Sequence, residues 1–283
     1  MLYHRRTTIS VSKPHMISDT GHIADSTDSV GHAARRSGIR LYGVGAIALG
    51  LVGLSWKDFA LVWQPVPPNF PGRLAYAYLA AIAFLLAGCA VQSRQTARVG
   101  LVMLAILYAL CVMLHIPAIV AHPQVLGTWA GAAEQLAIFA AALMGLAAMS
   151  RRALATRMQQ GARIVFACCL LCFGAVHFVY NAQTAAFVPG WIPPGQLFWV
   201  YVTGAAQCAA GIAMLSRHFE HQAAILLTAM YTVFSLLIHI PSALANPHAH
   251  LSWAANAVNL ALIGSAWVMA DALRPGDAGV SGS

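Results

Sequence analysis

Apolar and polar positions alternate along this chain in long blocks rather than at short period. Eight blocks of predominantly apolar residues lie near 41–58, 74–92, 99–120, 128–149, 163–181, 197–215, 222–243 and 252–272. Each reaches the ~20 residues that let a helix cross a ~30 Å hydrocarbon core. Lipid offers no partner to a free peptide group, so a spanning block must close its own hydrogen bonds as a helix. The pattern predicts an all-α, polytopic membrane protein with eight transmembrane helices. Residues 1–38 hold no apolar block and are rich in Ser, Thr, His, Arg and Gly. They read as a disordered tail rather than a secretory signal, which needs an apolar core of its own. Met16 offers a second start, and residues 274–283 read as a second loose tail.

The blocks fall into two sets of four. His115–Trp129 reads HIPAIVAHPQVLGTW and His239–Trp253 reads HIPSALANPHAHLSW. Without a gap, His115 falls on His239, Pro117 on Pro241, Pro123 on Pro247 and Trp129 on Trp253. A shift of one residue carries the match upstream, placing Pro71-Gly72 on Pro194-Gly195, Tyr78 on Tyr201, Gly88 on Gly211 and Asp58 on Asn181. The expectation is two four-helix repeats, 39–149 and 163–273, joined by a basic linker at 150–162. An even number of spans in each makes the repeats parallel. Two bundles side by side are the simplest architecture.

Composition agrees: 59% of residues are apolar and only 8% charged, with a mean hydropathy of +0.69. Soluble domains carry about a quarter charged residues. The net charge of +8 is distributed by side. Arg35, Arg36 and Arg40 precede the first block, and Arg94 and Arg98 follow the second. Arg151, Arg152, Arg157 and Arg163 stand between the fourth and fifth, Arg217 follows the sixth and Arg274 the eighth. The alternate joints hold only Lys57 and Arg73. Basic joints stay on the cytoplasmic side, which puts both termini in the cytoplasm of a bacterial-type inner or plasma membrane. Basic residues interleaved with aromatics on one face are missing, so nucleic acid is not an expected partner.

Candidate chemistry collects at the opposite side. His115, His122, His177, His239, His248 and His250 all fall near that end of a block or in the following joint, as do Trp56, Trp129, Trp191, Trp199 and Trp253. The tryptophans have a plain role as interface anchors. His115 lies about 25 Å into its span at 1.5 Å per residue, where a polar group needs a partner. Pro117, two residues on, loosens the helix ladder, and His239 with Pro241 repeats the arrangement. Glu134 is the one carboxylate deep in a span; its counterpart in the second repeat is Val258. A His115–Glu134 pair across two antiparallel spans would relay protons, orient a ligand or simply hold two helices together. The joints after the first span of each repeat, Trp56–Gly72 and His177–Gly195, are rich in Pro and Gly with apolar residues between, as expected of compact interfacial turns.

The run Gly174–Leu215 resembles DoxX-like membrane proteins. His177-Phe178, Val188-Pro189-Gly190-Trp191-Ile192-Pro193 and Tyr201-Val202-Thr203-Gly204 carry the resemblance, and Gln207 stands where the family often has Glu. The resemblance implies a four-helix unit and, for activity, thiosulfate oxidation to quinone or a place in redox-stress complexes. The leading expectation is a quinone- or thiol-linked redox component with His115, Glu134, His239 and His177 handling protons. Tyr180, Asn181, Trp191, Tyr201, Gln207, Trp129 and Trp253 are the candidate contacts to a quinone. Partners would be the lipid bilayer and either a membrane redox protein or a second copy. The alternatives are a transporter, a metal-handling protein with His122, His248 and His250 at one mouth, or a non-catalytic accessory subunit. Cys169-Leu170-Leu171-Cys172 has CxxC spacing, but Cys172 falls near the middle of the fifth block, and a thiol buried in apolar surroundings is inert. No cysteine lies in a joint, so no structural disulfide is expected there.

Overall fold

The computed structural model describes residues 37–150 and 153–275. The expected tails, apart from their residues nearest the spans, and the pair Arg151-Arg152 lie outside that range. Eight helices are long and apolar enough to cross a membrane, and the described residues contain no strand. In chain order they are α1 (Ser37–Trp56), α2 (Arg73–Ala90), α3 (Ala97–Ala121), α4 (Leu126–Ala148), α5 (Ala153–Val179), α7 (Gln196–Ser216), α8 (Glu220–Phe234) and α10 (His250–Ala272). A short α6 (Asn181–Ala185) precedes α7. The seventh span continues past α8 through a π-helical turn at Ser235–His239 into α9 (Ile240–Ala245). Large apolar side chains such as Leu79, Val120, Leu226 and Leu244 point outward, as a surface immersed in lipid requires. The chain is an all-α, multi-pass integral membrane protein.

The segment expected as a linker at 150–162 is helical from Ala153 onward, forming the first turns of α5. Arg163 anchors this extension. It is buried, its guanidinium donates to the Met214 carbonyl of α7, and its Nε lies 3.6 Å from Glu220 of α8. A buried arginine with both a carbonyl and a carboxylate to face tolerates removal from water.

The two halves are not separate bundles. Within each half, consecutive spans pack on one another, but neither half closes on itself by its main contacts. α1 packs most extensively on α10, and α5 packs on α4. The last span of each half thus lies against the first span of the other, and α4 meets α10 at the centre. These two are the most buried spans of the eight. Small residues make the exchange feasible, since backbones in lipid approach only where side chains are short. A methyl group added to Gly264 of α10 would stand 2.3 Å from Tyr42 Cα of α1, and one on Gly45 would stand 2.5 Å from Ala261. The same contact is fastened at one end, where Asp271 of α10 accepts a hydrogen bond from Gly38 N of α1 at 3.0 Å. That carboxylate satisfies one of the amides a helix start leaves free.

The π-helical turn has a direct cause in the sequence. Tyr108 precedes His115 by seven residues, whereas Tyr231 precedes His239 by eight. α3 runs through His115 and Pro117 as regular α-helix. In the second half the extra residue falls where the turn Ser235–His239 widens to π-helix.

Three tryptophans close turns with one device. Trp129, Trp199 and Trp253 each donate the indole N–H to the carbonyl of the proline six residues earlier, Pro123, Pro193 and Pro247, all at 3.0 Å. The proline supplies a carbonyl and no competing donor. Where the first half would carry a fourth such pair, the rings of Phe70 and Tyr76 meet edge-on at 5.6 Å. All of these lie at one end of the bundle, called here the aromatic face. Arg94, Arg98, Arg217 and Arg274 mark the other end, the arginine face.

Candidate functional site at the aromatic face

The site is built around a loop that folds back into the bundle. After α1 the chain dips at Phe59, Ala60, Trp63 and Gln64, all buried, with a 3-10 turn at Leu61–Trp63. Asp58 and Arg73 tie its ends by an ion pair at 2.6 Å, with the Arg73 guanidinium 5.3 Å above the Phe59 ring. Gln64 holds the interior: its Oε1 accepts from Ala60 N at 2.8 Å and its Nε2 faces Cys111 Sγ of α3 at 3.9 Å.

Two consecutive loop residues meet the two polar side chains singled out in the first half. Trp63 donates its indole N–H to Glu134 of α4. The Val62 carbonyl faces His115 Nε2 at 3.1 Å, while His115 Nδ1 faces the Cys111 carbonyl at 2.8 Å. A carbonyl only accepts, so a neutral imidazole, with one N–H, serves one of these partners at a time; a second ring proton serves both. His115 is only 5% exposed. The expected direct His115–Glu134 pair is replaced by an indirect one, with Val62 and Trp63 standing between the two side chains. A buried Trp N–H must find an acceptor, and Glu134 is the acid within reach.

Glu134 also looks toward the second half. It lies within Coulombic range of Cys172 of α5 and Tyr231 of α8. Cys172 in turn lines a cleft of about 340 Å³ together with Pro123, Gln124, Leu126 and Trp129. Cys172 was expected near the membrane midplane, away from any joint. It lies seven residues before the end of α5, about 10 Å at 1.5 Å per residue, and shares a cleft with Pro123 and Gln124 of the turn before α4, so it is not remote from every joint.

The remaining candidates divide. His177 bonds its own helix, Nδ1 to the Phe173 carbonyl at 2.8 Å. His239, in the π-helical turn, is half-buried and has no hydrogen-bond partner among the described residues, so it does not repeat what His115 does. The Tyr180 hydroxyl accepts from Gly127 N at 3.1 Å, joining α6 to the turn that borders the cleft. Asn181 caps locally onto the Phe178 carbonyl. Tyr201 stacks on Phe178 and is exposed, and Trp191 is 74% exposed. Gln207 is 3% exposed and its side-chain amide faces the buried Tyr231 hydroxyl. Of the two matched tryptophans, Trp129 lines the cleft, while Trp253 lies 6.5 Å from Trp56.

The structure does not gather His122, His248 and His250 into a metal centre. Among the described residues no three His, Cys, Asp or Glu side chains stand close enough to share an ion. His250 instead stacks on Trp56, rings 5.2 Å apart and 9° from parallel, while His122 and His248 are exposed on their turns. Trp63, Gln64, Cys111 and Tyr231 join the site without having been singled out. Trp63 was findable in principle: it is an indole donor in an apolar joint, in the half that carries the only deep carboxylate.

Residues 166–270 match a domain of unknown function, DUF8561. The match runs from within α5 through nearly all of α10 and leaves the first half, with Glu134 and the inserted loop, outside it. No curated protein and no solved structure matches the chain.

Proposed function

We propose that this protein is a quinone-linked membrane redox component, with its site at the aromatic face and that face toward the outer leaflet. The observation that carries the reading is the position of Glu134. It is a half-buried acid, hydrogen-bonded to Trp63 and within Coulombic range of Cys172, which with Trp129 lines an apolar cleft. A quinone headgroup needs an apolar slot, a flat aromatic neighbour and a group that exchanges protons as the ring is reduced or oxidised. Glu134 supplies the last of these, and His115 steadies the loop that delivers Trp63 to it. A cleft of about 340 Å³ falls at the small end of ligand sites, suited to a headgroup whose tail stays in lipid. The bias of basic joints supports a cytoplasmic arginine face, with both ends of the chain in the cytoplasm of a bacterial-type inner or plasma membrane. The resemblance to DoxX-like proteins over Gly174–Leu215 points the same way.

A transport reading draws on the seventh span, which the π-helical turn and Pro241 interrupt. Transporters built from repeats break helices in both halves, and here α3 is continuous.

The test is extraction of quinone from detergent-purified protein, wild type beside Glu134→Gln, His115→Ala and His239→Ala, with metals assayed on the same samples. The reading expects quinone in the wild type, strongly reduced in Glu134→Gln and retained in His239→Ala. Stoichiometric metal without quinone would overturn it, as would quinone equally abundant in all four proteins.

A further inference from the structure

We propose that Cys169 and Cys172 form a redox-active dithiol that exchanges electrons with a quinone seated in the cleft beside Trp129. This rests on the quinone reading above and names the protein group that would carry its electrons.

The geometry gives the two thiols different surroundings. Cys172 is half-buried and lines the cleft between α5 and the Pro123–Leu126 turn. Cys169 lies one turn deeper and is buried in the core. Both are free thiols and each lies within Coulombic range of the other. Residues three apart on a helix have Cβ atoms about 5–6 Å apart, and a disulfide needs about 3.5–4.5 Å. A local tightening of the last turns of α5 therefore suffices to join them. Two residues beyond Cys172, Gly174 packs on Cys208 of α7.

The polar groups around the pair are placed for proton traffic. Glu134 is within Coulombic range of Cys172, and Tyr231 is within range of Cys169.

The reaction balances without a further reagent. Two S–H bonds break and one S–S bond forms between Cys169 and Cys172. The two electrons and the two protons released by the thiols pass to the quinone, which becomes the hydroquinone. Cys172, open to the cleft, is the thiol that meets the quinone. Cys169, shielded behind it, is the thiol that closes the disulfide. In reverse, a hydroquinone reduces the disulfide.

The experiment uses the full chain in liposomes with a short-chain ubiquinone. Free thiols are counted by alkylation and intact mass, hydroquinone is followed by its absorbance, and bound quinone is measured on the same vesicles. A second protein keeps only Cys169 and Cys172, with Cys89, Cys111, Cys168 and Cys208 changed to Ala. The expected result is loss of two thiols for each hydroquinone formed, in both proteins, abolished by Cys172→Ala and by Cys169→Ala. Quinone bound while both thiols stay reduced overturns the dithiol and leaves the quinone site standing. Absence of bound quinone overturns the site and the dithiol together. Peptide mapping of the alkylated wild type identifies which two thiols are lost, so the assignment does not depend on any variant folding.

Discussion

Trp63 and Glu134, 71 residues apart, are joined by a hydrogen bond from the indole to the carboxylate inside the bundle. That contact is what fixes the loop after α1 as part of the interior rather than a turn on its surface. A hydrogen bond to a carboxylate contributes about 1.5–3 kcal/mol, and a partner left buried without it costs about as much. Trp63→Phe keeps the ring and removes the donor. The expected outcome is a lower thermal midpoint together with faster proteolysis between Lys57 and Arg73, and a double change with Glu134→Gln should lower stability by less than the sum of the two. Strict additivity in that cycle would mean the two side chains do not interact.

The crossed packing of the halves depends on glycine at the α1–α10 contact. Gly264→Val would force a side chain into the Tyr42 backbone, where there is no room. Overpacking of this kind costs about 1–3 kcal/mol where neighbours can shift; here the obstacle is backbone, so the loss should reach the upper end or prevent folding. Gly190→Ala meets nothing within 4 Å and should change stability by less than about 0.5 kcal/mol. Size-exclusion profiles and thermal midpoints in detergent compare the two.

Deleting one residue should be tolerated in the seventh span and not in the third. Removal of Leu236, exposed within the π-helical turn, leaves the tyrosine–histidine spacing that α3 already has. The helix can then close as regular α. Removal of Met113, similarly exposed on α3, takes a residue from a turn with none to spare and rotates everything beyond it by about 100°. His115 would leave the Val62 carbonyl. The first deletion should give monodisperse protein with a thermal midpoint near the wild type, the second aggregated protein. Equal tolerance would contradict the origin assigned to the π-helical turn.

The eight spans could be read from the chain because lipid imposes one rule on every residue: apolar and helical. Their ends fall within a few residues of the expected blocks, except at α5. That helix begins at Ala153, with ALATRMQQGA, a run of good helix formers too polar for a hydropathy block. Partner choice was not legible. Gly45 and Gly264 announce a close approach to something, but only the fold shows that α1 meets α10 of the other half. Glu134 stood out as an isolated acid, whereas Trp63 did not, since a loop has no periodicity to reveal which side chain turns inward. The neighbourhood of Cys172 was hidden likewise: that Pro123 and Gln124 share a cleft with it depends on tertiary contacts, not on its own span.

Photolabelling with an azido-ubiquinone, followed by peptide mapping, tests the central claim most directly. The account predicts labels on Pro123–Trp129 and on α5 around Cys172, competed away by unlabelled ubiquinone and reduced by Glu134→Gln. Label confined to lipid-facing residues such as Leu79 and Leu226, or label that excess ubiquinone does not displace, would contradict a quinone site at the aromatic face.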